Sequence, residues 1–138
     1  DLSSTSFQPM LSAAGTTWEP EIITSLSSSK VLGIFSILMK GDTNGQSDAR
    51  SFLQGDWKIG AGSYNTFDDM NEVFGNYDRG GSGIWSRTTI VWTRLFVPGS
   101  ADTIKFRFNI KSASGAVAYH GPASDGCYSN VTLMELVG

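Results

Sequence analysis

The residues that could support catalysis are few and scattered. His120 is the only histidine and Cys127 the only cysteine, which excludes a zinc site of the usual His/Cys kind. No Gly-x-Ser-x-Gly nucleophile motif accompanies His120, so we interpret it as a surface or pocket-lining residue able to hydrogen-bond a ligand hydroxyl. Because most soluble domains carry scattered acids, we predict no catalytic residue. A glycan hydrolase is the less favoured alternative, with its carboxylate pair drawn from Asp56, Asp68, Asp69, Glu72 and Asp78.

Oxygen-bearing side chains alternate along residues 42–48, as they do in calcium-binding loops. The segment lacks glycine at the sixth position and has Leu53 at the twelfth, where a bidentate glutamate would stand. Asn44-Gly45 is itself a strong turn signal, so the favoured interpretation is a polar hairpin loop. The sequence therefore predicts no metal and no cofactor.

Aromatic residues at strand ends and in glycine-rich loops give the best indication of function. An aromatic ring stacks on the apolar face of a sugar, while carboxylate, amide and guanidinium groups on rigid loops orient its hydroxyls. Residues 60–83 and 119–128 form the two longest such loops. The alternative is that some rings belong to the core or to a subunit interface, which we favour for Trp57 and Trp92. The predicted saccharide-binding residues are Tyr64, Asn65, Asp78, Arg79, Trp85, Tyr119, His120, Asp125 and Tyr128.

Composition and charge narrow the class of partner. The chain has 138 residues, which corresponds to a single domain with a substantial core. Its net charge of −3 and lack of a basic run argue against a nucleic-acid partner. No stretch of about 18 apolar residues occurs, so no membrane insertion is predicted. The single cysteine precludes an intrachain disulfide, which favours a cytosolic origin or stabilisation by oligomerisation.

Alternating apolar and polar residues predict an all-β fold. The clearest pattern is at residues 103–111. One face carries Ile104, Phe106, Phe108 and Ile110, and the other carries Lys105, Arg107, Asn109 and Lys111. Further strands are predicted at 21–26, 31–40, 51–59, 88–97, 116–119 and 129–138, with one helical turn at 68–74. Residues 1–17 are predicted to be an N-terminal arm or linker, and residues 18–138 the folded domain.

The last strand carries apolar side chains on both of its faces. Val131 and Leu133 lie on one face, and Met134 and Leu136 on the other. A strand of this kind needs a second sheet or a neighbouring chain to cover it. Glu135 interrupts the first face, and we predict that Lys105, Arg107 or Lys111, from this chain or a neighbouring one, pairs with it.

The strand at 104–110 and the closing Ser-x-Val-Thr-Leu-Met-Glu-Leu stretch at 129–136 resemble the C-terminal jelly-roll domains of bacteriophage tail fibres, tailspikes and head fibres. These domains are related in shape to the C1q/TNF-like trimers. The resemblance implies an antiparallel β-sandwich that assembles as a homotrimer, with apolar outer strand faces buried on the threefold axis. It also implies a virion protein that contacts other virion proteins and binds a host cell-surface glycan or receptor. A structural capsid decoration or fibre protein without a soluble ligand is the alternative.

Overall fold

The computed structural model describes residues 4–12, 14–41, 51–68, 72–74, 86–112, 118–120 and 129–138. All regular structure in these ranges is β-strand, and every strand pairing is antiparallel, which confirms the all-β prediction. Across the same ranges, no helix has the length and apolar character needed to cross a bilayer. The strands are β1 (Gln8–Pro9), β2 (Glu21–Ile23), β3 (Lys30–Gly41), β4 (Ser51–Ile59), β5 (Asn65–Asp68), β6 (Glu72–Phe74), β7 (Ser86–Phe96), β8 (Thr103–Ser112), β9 (Ala118–His120) and β10 (Asn130–Leu136).

The strands form two sheets. A six-stranded sheet has the order β1-β8-β4-β5, with β2 also paired to β8 and β6 to β4. A four-stranded sheet has the order β10-β3-β7, with β9 also paired to β3. The longest strand, β3, pairs with β7 from Val31 to Gly41. The two sheets enclose one core, so the domain is a β-sandwich.

Side-chain alternation along the two central strands explains where the core lies. On β8, Ile104, Phe106, Phe108 and Ile110 are fully buried, as the sequence pattern predicts. They face the inward row of β3, in which the Phe35 ring is tilted against Phe106 and edge-on to Phe108, at ring-centroid distances of 5.3 and 5.4 Å. Burial of each aromatic ring contributes about 1.5–3 kcal/mol, so this cluster is a main source of the sandwich's stability.

Gly55 makes room for one of these rings. It lies on the core-facing row of β4, opposite Phe108 on one side and Asp68 of β5 on the other. A Cβ at this position would overlap the ring of Phe67. That ring is packed against Phe35 and Phe96 at centroid distances of 5.5 and 5.3 Å. Glycine at position 55 is therefore a packing requirement of this core.

One short segment lies within the predicted arm, and another differs from its predicted element. Within the predicted arm, β1 pairs with β8, and Met10 is 1% exposed in the core with its N–H donating to Phe108 O at 2.8 Å. The predicted helical turn at 68–74 is wrong, because Glu72–Phe74 form a strand paired with β4. The local sequence favoured a turn, but these residues form an extended segment because they pair with the edge of β4.

The partner of Glu135 also differs from the prediction. Its carboxylate accepts hydrogen bonds from the backbone N–H and the hydroxyl of Ser25, in the turn between β2 and β3. The pKa of Glu135 is lowered by the nearby Ser29 hydroxyl and then by the two Ser25 groups. The Ser29 hydroxyl is buried, and it has no hydrogen-bond partner of normal geometry among the described residues. The predicted pairing with a lysine or arginine of the same chain is therefore wrong. The three candidate cations lie on the outer face of β8 in the other sheet, where Lys105 pairs with Glu21 and Arg107 with Asp56.

Candidate functional site

The outer face of the six-stranded sheet carries a row of polar cross-strand pairs, which we call the polar face. It is fixed by the β4–β8 register, because the residues between the core-facing ones must point away from the core. The opposed pairs are Phe52 with Lys111, Gln54 with Asn109, Asp56 with Arg107, and Lys58 with Lys105.

Asp56 organises the centre of the polar face. Only 4% of this residue is exposed, and its carboxylate accepts three side-chain hydrogen bonds. These come from Arg107 Nη2 at 2.8 Å, Asn109 Nδ2 at 2.7 Å and Thr66 Oγ1 at 3.0 Å. Hydrogen bonds from three separate side chains to one buried carboxylate hold those side chains in place. The network therefore ties β4 to both of its neighbours, β8 and β5.

Tyr64 covers one end of this network. Its ring lies over the Arg107 guanidinium, with Cζ at 3.9 Å from the ring centroid, and Lys58 Nζ is at 4.5 Å. Its hydroxyl donates a 2.6 Å hydrogen bond to Glu19. Burial, followed by the hydrogen bond and negative charge of Glu19, raises the pKa of Tyr64 well above its usual range. The phenol is therefore a neutral donor at all physiological pH values.

The opposite end of the polar face has a second cation between aromatic rings. Lys111 Nζ lies 4.6 Å from the ring centroid of Phe7 and 5.0 Å from that of Phe52. Between the two ends, Gln54 Nε2 donates to Thr66 Oγ1 at 3.3 Å, and its Oε1 receives a long 3.5 Å contact from Asn109. The guanidinium of Arg107 also has a buried Nε with no hydrogen-bond partner among the described residues. The face thus combines cations, amides, a hydroxyl and aromatic rings.

The predicted ligand-binding residues fall in different parts of the chain. Tyr64 immediately precedes β5 and Asn65 is its first residue, exposed and paired in register with Trp57. Tyr119 and His120 lie in β9, which pairs with the end of β3 in the other sheet. The remaining predictions lie outside the described residues; they are Asp78, Arg79, Trp85, Asp125 and Tyr128. The predicted polar loop at 42–48 also lies outside them.

The carboxylates proposed for hydrolysis have separate partners where they are described. Asp56 is committed to the network above, and Asp68 pairs with Arg94 Nη2 at 3.3 Å across the two sheets. Among the described residues, no group of three or more His, Cys, Asp or Glu side chains is placed to hold a metal ion. The chemistry that the described part of the polar face offers is therefore hydrogen bonding and charge attraction.

Sequence reasoning missed the central residues of this face, although a signal for them was present. Arg107 and Asn109 occupy outward positions in the alternating strand, and Asp56 stands on the strand that pairs with it. Outward residues of a single strand are ordinarily solvated, so the pattern alone gives no reason to select them. Their clustering depends on the β4–β8 register, which the sequence does not reveal.

The outer face of the other sheet is apolar, and we call it the apolar face. Leu32 on β3 lies in register between Leu95 of β7 and Met134 of β10, giving an apolar row across three strands. Thr93, Ile34 and Thr132 form the next row. The face consists of Leu32, Ile34, Val91, Leu95, Val97, Met134 and Leu136, of which the last five are 40–63% exposed.

Searches against known protein families, curated proteins and solved structures find no match to this chain.

Proposed function

We propose that this chain is a self-associating binding module whose apolar face packs against further copies of itself. The observation that carries this proposal is the exposure of Val91, Leu95, Val97, Met134 and Leu136 on one sheet face. Monomeric soluble proteins rarely expose contiguous apolar patches of this kind. The proposal therefore assigns the face to an interface.

The size of the effect supports an interface. Complete burial of a Val, Leu or Met side chain contributes about 1.5–3 kcal/mol, and these five are roughly half exposed. Covering them would contribute about 5 kcal/mol per chain before the costs of association. The neutral side chains of Thr93, Ser36 and Thr132 separate the apolar ones, and the charged Lys30 lies opposite Leu136 at the end of the face. A centre depleted of charge is typical of protein interfaces.

The proposed assembly is a homotrimer of jelly rolls. The path of the chain supports a jelly roll, because β3, β7 and β10 lie in one sheet while β4 and β8, between them in sequence, lie in the other. The resemblance of residues 104–110 and 129–136 to bacteriophage fibre domains supports threefold symmetry. On this proposal the module belongs to a virion, contacts other virion proteins and binds a host cell-surface saccharide. A structural decoration or fibre part without a soluble ligand is the alternative role.

A pair of matched substitutions tests self-association. Leu95→Lys places a charge in the apolar face, whereas Ile23→Lys places one on a 70% exposed residue of β2 in the other sheet. We expect light scattering to show that Leu95→Lys lowers the native mass to that of one chain, 14.8 kDa, while Ile23→Lys leaves it unchanged. An oligomer that survives Leu95→Lys with unchanged affinity would exclude the apolar face as its interface.

A further inference from the structure

We propose that the polar face binds an extended acidic saccharide. The class of ligand rests on the saccharide-binding role proposed above. The site, however, is a sheet surface and not the loops predicted from the sequence. The first argument is position. The polar face and the apolar face lie on opposite sides of the sandwich, so a chain that buries one against its copies still presents the other to solvent.

The second argument is charge. Lys58, Lys105, Arg107 and Lys111 all lie on the polar face, although the chain as a whole has a net charge of −3. Lys105 pairs with Glu21 at 3.1 Å and Arg107 with Asp56. Among the described residues, no carboxylate forms an ion pair with Lys58 or Lys111; each ammonium lies over an aromatic ring instead. These two cations are therefore available to an anionic group of a ligand.

The third argument is the spacing of the available groups. Phe52, opposite Lys111, and Lys58 are six residues apart on β4, which corresponds to about 20 Å along the strand. Gln54 and Thr66 lie between these ends and reach solvent. A linear polymer with repeated acidic groups would contact both cations and place its hydroxyls against the amide and hydroxyl between them. A small anion would reach only one end.

The fourth argument is rigidity. The buried Asp56 carboxylate fixes Arg107 and Thr66, and the Glu19 hydrogen bond fixes Tyr64 over the guanidinium. Side chains held in this way lose little conformational freedom when a ligand binds, which favours affinity. The polar face is thus organised before binding.

The test uses polygalacturonate, a uronic-acid polymer, as the probe and neutral dextran as its uncharged counterpart. Affinity electrophoresis and titration calorimetry would compare the unaltered chain with Lys58→Gln, Lys111→Gln and the double variant. Lys30→Gln is the control, because it removes a lysine charge from the other sheet; Lys30 lies opposite Leu136 at the end of the apolar face, so this control is compared only at unchanged native mass. Native mass is measured for each variant, so that loss of assembly is distinguished from loss of the site.

We expect binding to polygalacturonate that weakens about two- to fivefold with each polar-face lysine removed, falls with added salt, and is unchanged by Lys30→Gln. Binding that is equal in all variants would overturn the site while leaving a saccharide-binding role intact. Equal binding of dextran, or tighter binding of a single-stranded DNA oligonucleotide, would overturn the ligand class. An assembled chain that binds neither polygalacturonate, polysialic acid nor dextran sulfate would overturn the inference and leave self-association standing.

Discussion

The buried carboxylate of Asp56 offers a demanding test of the polar network, because Asp68 provides a control of the same chemistry in a different environment. Both residues face an arginine. The Asp56–Arg107 pair has side-chain exposures of 6% and 30%, and the Asp68–Arg94 pair has 20% and 49%. Replacing each aspartate by alanine therefore compares a buried carboxylate that accepts three hydrogen bonds with a carboxylate in a more exposed ion pair.

The expected losses of stability follow from these environments. Asp56 accepts three hydrogen bonds, and a hydrogen bond to a charged group contributes about 1.5–3 kcal/mol. The three are not additive, and the partly exposed Arg107 regains some hydration, so we expect Asp56→Ala to lower the free energy of unfolding by about 3–5 kcal/mol. For Asp68→Ala we expect less than about 1 kcal/mol.

Urea unfolding followed by tryptophan fluorescence would measure both losses. The protein concentration must be held fixed, because the proposed self-association would add a concentration-dependent contribution. A double variant, Asp56→Ala with Arg107→Met, separates the cause. If the loss arises because Arg107 is left without an acceptor, removing the arginine should restore part of the lost stability. Equal losses for the two aspartates, or a loss below about 1 kcal/mol for Asp56→Ala, would refute the claim that the network stabilises the fold.

Two further predictions concern packing and pH. Gly55→Ala should lower the free energy of unfolding by about 1–3 kcal/mol, because its Cβ would displace the packed ring of Phe67. Gly99→Ala is the control: nothing lies within 4 Å of the added Cβ, but φ is +73°, so this variant tests backbone strain without a clash. If Gly55→Ala unfolds at the same urea concentration as the unaltered protein, tight packing at this site is excluded. Since the pKa of Glu135 is lowered from its usual 4.5, its contribution to stability should be present above pH 4.5 and lost as the pH falls through its folded value. Glu135→Gln should therefore be less stable than the unaltered chain at pH 7 and equally stable at the acid limit, and a difference that persists there would assign the loss to something other than the charge.

The strands were predictable where both the pattern and the partner are simple. Alternation alone identified Ile104, Phe106, Phe108 and Ile110 as core residues, because a strand buried on one face must repeat with a period of two. The segment at 72–74 was not predictable in this way, since three residues carry too little pattern and their pairing with β4 decides their conformation. The same limit applies to β1, whose place beside β8 depends on contacts far away in sequence.

The functional surfaces were less predictable than the strands. Tyr64 was selected as an exposed aromatic, yet its ring lies on Arg107 and its hydroxyl on Glu19, 45 positions away. Glu135 was correctly expected to need a partner, but backbone and hydroxyl groups of a nearby turn meet that need in place of a cation. In both cases the residue type indicated a polar requirement, while the fold determined which group satisfies it.

The central claim is that the apolar face is covered by further copies of this chain. The most direct measurement is the native mass of the unaltered protein by light scattering over a range of concentrations. We predict a mass about three times the chain mass of 14.8 kDa. A chain that remains monomeric at every concentration, with Leu95 and Met134 still exposed, would contradict the claim.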